Sequence, residues 1–151
     1  MHQLCTIGNM KVKKSYLDAV PVKYPTVYLV YSQLKLYHLS WLIKRHNIFD
    51  PVKGIDFEIE LNSGQNVSVH TTFCCQNTDN DIIITLISNK GTQGNIYNQK
   101  PPADYIVIIS GDPEWNFEEL FFNQLKKLPE ITAILQLDVT NPLISRLSSF
   151  F

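Results

Sequence analysis

The chain has 151 residues, 44% of them apolar and 18% charged, with a formal net charge of −1, which fits one soluble globular domain and excludes most other classes. No apolar run approaches the roughly 18 residues of a membrane helix, and the first twenty residues lack an h-region with a small-residue cleavage site, so a cytoplasmic protein is expected. The near-neutral total conceals a division: residues 1–53 carry eight Lys/Arg against Asp18 and Asp50, and residues 54–151 carry five against twelve carboxylates, +6 against −7.

Residues 1–9 show no clear period, and Met10 opens the basic segment Lys11-Val-Lys-Lys14. A single domain over 1–151 is expected, with 1–9 as an extension before it. Tyr24 to Tyr31 is dense in β-branched and aromatic residues and reads as a strand, with Pro25 near its start where a missing N–H is tolerated. Ser32 is an expected N-cap. Leu36, Leu39 and Ile43 then recur at helical spacing, broadened by Leu34, Trp41 and Leu42, and Lys44, Arg45 and His46 complement the carbonyl end before Asn47. The expected helix spans Gln33 to His46.

Residues 55–61 alternate strictly, which sends Ile55, Phe57, Ile59 and Leu61 to the core and Asp56, Glu58 and Glu60 to the other side. The next run keeps that parity with Val67, Val69 and Phe73 inward. Odd must then pair with odd, so a three-residue loop, Ser63-Gly64-Gln65, is expected, with Glu58 opposite His70. Gln76 to Asn80 is a polar turn. Ile82 to Ile87 is nearly unbroken apolar sequence, the mark of a strand covered on both faces.

Residues 89–103 form a long polar connection of a functional or mobile kind. Asp104 to Gly111 is a second buried strand. The next helix is opened by Asp112-Pro113 or by the capping box Asn116 to Glu119, presents Phe117, Leu120, Phe121, Leu125 and Leu128, and stops at Pro129. Thr132 to Val139 is a last strand, and Asn141-Pro142 caps a short helix through Leu147. The expected fold is α+β, with a mainly antiparallel sheet of about six strands (strand, helix, four strands, helix, strand, short helix), the two longer helices packed on one face. The other face would carry Asp56, Glu58, Glu60 and His70 to solvent.

The ordered set Leu36-Tyr-His-Leu-Ser-Trp-Leu-Ile-Lys-Arg-His46, Leu86-Ile-Ser-Asn-Lys90, Asp104-Tyr105 leading to Gly111, and Leu128-Pro-Glu-Ile131 through Leu137-Asp138 resembles the bacterial IPExxxDY family over about residues 10–151. The naming motif is half kept: its Ile-Pro-Glu falls on Asn98-Gln99-Lys100. The family has no assigned activity, so the resemblance implies a fold neighbourhood and a bacterial cytosolic setting and carries over no catalytic residue.

Candidate chemistry is sparse. Of Cys5, Cys74 and Cys75, the adjacent pair resists a normal disulfide, and free thiols are expected. His70 and Cys74 share a strand face but stand about 13 Å apart, too far for proton transfer. His70 with Glu58 and Glu60 offers metal-type donors, yet a solvated face with a cross-strand Glu–His pair accounts for them more simply. His38 and His46 read as helix-surface and dipole-partner residues. Gly91-Thr-Gln-Gly94 lacks a Walker lysine and opens no helix, so it reads as a turn. The basic segment with Lys23, Lys35, Lys44, Arg45, Tyr16 and Tyr24 suits a nucleic-acid backbone, but a pI near 6.4 argues against a dedicated binder.

The expectation is therefore a small non-catalytic binding or protein-interaction domain, with no catalytic, cofactor or metal residues. Its surface would draw on Asp56, Glu58, Glu60, His70, Asn89, Lys90, Asp104 and Tyr105, and its partner would be another protein or a second copy. RNA or DNA association through the basic N-terminal third is the alternative, followed by a small enzyme; no membrane partner is expected.

Overall fold

The runs Ile82–Ser88 and Tyr105–Gly111 are buried almost throughout, because each is covered on both faces. In chain order the elements are β1 (Thr26–Ser32), α1 (Leu36–Arg45), β2 (Val52–Lys53), β3 (Phe57–Leu61), β4 (Asn66–His70), β5 (Thr72–Asn77), β6 (Ile82–Ser88), β7 (Tyr105–Gly111), α2 (Phe117–Lys126), β8 (Ile131–Gln136) and α3 (Pro142–Arg146). The computed structural model describes residues 25–46, 48–61, 66–77, 82–111, 117–138 and 140–147, with backbone alone at 76, 77 and 117–120. Expectations that fall on Met10, Lys11 to Lys14, Asn47, Ser63 to Gln65, Asp112-Pro113 and Asn116 lie outside the described residues.

Six strands form one antiparallel sheet in the order β2-β5-β6-β7-β1-β8, and β3 and β4 form a separate two-stranded ribbon. This is the α+β fold expected from the sequence. On one side of the sheet, Tyr28, Val30, Ile82, Ile84, Leu86, Tyr105, Val107 and Ile109 pack against Leu36, Leu39 and Ile43 of α1 and Phe121 and Leu125 of α2. On the other, Val27, Leu29, Ile87, Ile106 and Ile108 pack against Leu143 and Ile144 of α3, Ile96 and Ala103 of the long connection, and Phe57 and Ile59 of β3. Each fully buried Leu or Ile contributes about 1.5–3 kcal/mol.

The second side of the sheet is thus covered, which corrects the expected solvent face. The run that holds Val67, Val69 and Phe73 is also two strands: β4 pairs with β3 outside the main sheet and β5 lies within it, and the short β2 takes the edge beside β5. Within the ribbon, Phe57 pairs with His70, Glu58 with Val69, Ile59 with Ser68 and Leu61 with Asn66. That is one residue away from the expected Glu58–His70 pairing. Because strand faces alternate, the slip exchanges the two faces of β4: Ser68 and His70 turn inward and Val67 turns outward. Ile55, expected in the core, lies before the start of β3 and is 76% exposed.

Local signals held unevenly. Asn141 caps α3 as its sequence suggests, with Oδ1 accepting from Leu143 N at 2.9 Å. Ser32 does not cap α1; it closes β1, its Oγ donating to Glu130 O at 2.9 Å and accepting from Leu34 N, and Lys35 takes the cap position without a side-chain bond.

Candidate functional site

The ten residues of α1 divide into two stripes. Leu36, Leu39, Ser40, Leu42 and Ile43 are buried, and Tyr37, His38, Trp41, Lys44 and Arg45 face outward. Tyr37 is 66% and Trp41 51% exposed. The outward rings run in series: Tyr37 stacks on His38 at 6.4 Å between centroids, His38 lies 6.0 Å from Trp41, and the Arg45 guanidinium sits 5.1 Å over the Trp41 ring. A cation over an indole face is attracted by the ring quadrupole, which keeps Trp41 laid along the helix. The helix has no carboxylate, so the stripe is cationic and aromatic throughout. Asp50 approaches it from outside, 3.6 Å from Lys44 Nζ.

The foot of α1 meets the sheet in an open groove of about 420 Å³, lined by Lys35, Tyr37, Lys53, Phe73, Ser88 and Tyr105 among others. Lys53 is held by Asp56 at 2.6 Å and by Gly54 O at 2.7 Å. The Tyr105 hydroxyl donates to Leu34 O, fixing the turn from β1 into α1. Burial, with the Asp104 carboxylate adding to it, pushes that phenol up to about 12, so it stays protonated and serves as a donor.

Other residues expected at a site are used by the fold. Asp104 Oδ2 accepts from Ser32 N at 2.9 Å at the end of β1. Asn89 is buried and organises the 89–103 connection: its Nδ2 donates to Tyr97 O and Ala103 O at 3.0 and 2.8 Å, and its Oδ1 accepts from Tyr97 N at 2.8 Å. Exposed Lys90 pairs with Asn95 across the turn at Gly91–Gly94. His70 is fully buried, whereas Glu58 and Glu60 are exposed on the other side of the ribbon. The three do not meet, and among the described residues no group of three His, Cys, Asp or Glu is placed to hold a metal.

Cysteine chemistry finds no support. Cys74 is disulfide-bonded, which corrects the expectation of free thiols, and Cys75 is free. Burial pushes the Cys75 thiol up, away from the reactive thiolate.

Sequence reasoning placed Trp41 on the apolar face of α1, and the structure places it outside. The signal was present: at about 100° per residue, Trp41 falls about 160° from both Leu39 and Ile43, opposite the core. No family model, curated protein or solved structure matches the chain.

Proposed function

We propose that this chain is a non-catalytic protein-interaction domain whose contact surface is the outer face of α1, and that its partner presents carboxylates among apolar side chains. The observation that carries this reading is the exposure of Tyr37 and Trp41 on a helix that holds Lys44 and Arg45 beside them and no acid. Tyr, Trp and Arg are the residue types that supply most of the binding energy at protein interfaces, and a cationic surround selects an acidic partner. The site moves from the sheet face and the 89–103 connection expected from sequence, since the first is covered and the second is tied down by Asn89.

Nucleic acid is the second reading, because exposed Tyr37 and Trp41 beside Lys35 and Lys44 offer stacking surfaces near cations. Arg45 already occupies one face of Trp41, which favours a protein partner. No described helix is long and apolar enough to cross a membrane. The cytoplasmic setting proposed from the sequence competes with the Cys74 disulfide, a bond that persists in oxidising compartments.

Titration of a peptide of alternating Glu and Leu into the Trp115→Phe protein, where Trp41 is the remaining indole, tests the reading. A saturable shift of Trp41 emission is expected, weakened about tenfold or more by Tyr37→Ala. A flat titration overturns the reading; a response to single-stranded nucleic acid at lower concentration than to the peptide transfers it to the second.

A further inference from the structure

We propose that the acidic partner of α1 is a second copy of this chain, which offers the outer face of its β3–β4 ribbon; this rests on the reading of α1 as the contact surface. The ribbon's register pairs Glu58 with Val69 and Glu60 with Val67, so these four side chains share its outer side. Glu58 and Glu60 are exposed there and Val67 is 48% exposed. The face has the same build as the α1 stripe with the opposite charge: a row of carboxylates on β3 beside a row of valines on β4, against the cations Lys44 and Arg45 at one end of the stripe and the rings of Tyr37 and Trp41 before them. Lys44 and Arg45 can meet Glu58 and Glu60 while Tyr37 and Trp41 cover the valines, an arrangement complementary in both charge and hydropathy.

The two faces cannot satisfy one another within a single chain. α1 packs on one side of the six-stranded sheet and β3 on the other, so the sheet itself stands between them. Contact between α1 of one copy and the ribbon of the next is heterologous, and each added copy leaves one face of each kind free. Such an interface builds open chains of molecules, or rings where its rotation closes, instead of a closed pair. A ten-residue helix against a ribbon with five residues per strand offers less than the roughly 800 Å² per partner typical of a stable complex. Association is therefore weak and concentration-dependent. Its ion pairs are solvent-accessible and so yield to salt.

Sedimentation velocity of the whole chain tests this. At low salt, the weight-average sedimentation coefficient is expected to rise with concentration without levelling at a dimer, and to return to the monomer value near about 0.5 M salt. The double variants Tyr37→Ser/Trp41→Ser and Glu58→Lys/Glu60→Lys change exposed side chains only, and matching far-UV circular dichroism verifies their folding. Each alone should stay monomeric. Their equimolar mixture should give a dimer and nothing larger, because the first keeps an intact ribbon face and the second an intact α1 face. A parent chain that stays monomeric at every concentration, a plateau at dimer for the parent, or a mixture that stays monomeric overturns the proposal. If the chain is monomeric yet Trp41 responds to the Glu-Leu peptide, the second copy is excluded and the α1 reading stands; if both measurements are flat, both fall.

Discussion

The imidazole of His70 lies directly against Gly91: a Cβ built on Gly91 would sit 2.4 Å from Cε1 and Nε2 of the ring and 2.4 Å from Ser68 Oγ. The contact follows from the ribbon register, which turns Ser68 and His70 inward, and from the turn at 91–94, which lies along β4. Thr92 N donates to Val69 O at 3.2 Å, Val69 N to Thr92 Oγ1 at 3.0 Å, and Gln93 N to Ser68 Oγ at 3.1 Å. His70 Nδ1 stands 2.7 Å from Ser88 O. A carbonyl accepts only, so Nδ1 carries the proton, and Nε2 is left as a buried acceptor with no hydrogen-bond partner.

Gly91→Ala should destabilise the protein by about 1–3 kcal/mol, the usual cost of forcing extra volume into packed surroundings. The added methyl group meets an imidazole and a hydroxyl that are both pinned by bonds of their own. The midpoint of urea unfolding should fall at unchanged slope; an unchanged midpoint refutes the close packing.

Stability should decline on acidification through His70. Burial holds this imidazole below its ordinary 6.5, only partly offset by the bond to Ser88 O. The unfolded chain therefore takes up a proton near pH 6.5 while the folded chain does not, so the unfolded state gains as pH falls below that value. The contribution is complete above about pH 6.5 and is lost through the interval down to the lowered folded value. His70→Gln keeps an N–H for Ser88 O and cannot titrate, so its melting temperature should vary less than the parent's between about pH 6.5 and 5. Identical pH profiles for the two proteins contradict the assignment.

Asn89→Ala should cost about 3 kcal/mol, because it removes three hydrogen bonds at once and leaves the carbonyls of Tyr97 and Ala103 without their amide donor. Amide exchange at Tyr97 should accelerate in parallel, since its N–H bonds Asn89 Oδ1. Normal protection at Tyr97 in the variant would show that the 89–103 connection is held by other means.

At the alkaline end the relevant group is Tyr105. Its phenol is raised to about 12 from an ordinary value of 10, so the folded state keeps a proton that the unfolded state releases. Stability is thus whole below about pH 10 and is lost as pH climbs toward 12. Tyr105→Phe should lose about 1 kcal/mol at neutral pH from the missing bond to Leu34 O. It should also remove a phenol that titrates at about 12 from an ultraviolet difference titration; a variant curve superimposable on the parent's would rule this out.

The sequence alone determined where most strands and helices lie, and which faces of the central elements are apolar, but neither the edge strand β2 nor the break that puts β4 and β5 in different sheets. Ile82 to Ile87 and Asp104 to Gly111 are too continuously apolar to lie anywhere but between two layers. The α1 stripe of Leu36, Leu39 and Ile43 has a single periodicity, and Asn141-Pro142 is capping chemistry that acts over two residues. These signals are local, so tertiary context had little to overrule. The ribbon was different. Alternation in β3 and in β4 is consistent with two registers, one residue apart, and the apolar Val67 and Val69 point to the wrong one. Tertiary structure decided it: the turn at 91–94 and the carbonyl of Ser88 supply the hydrogen bonds that let Ser68 and His70 be buried, and no residue near β4 in the chain announces those partners. The same decision separated the acids of β3 from His70 and left them on the opposite side of the sheet from α1. It set Glu58 and Glu60 of β3 across the sheet from Lys44 and Arg45 of α1.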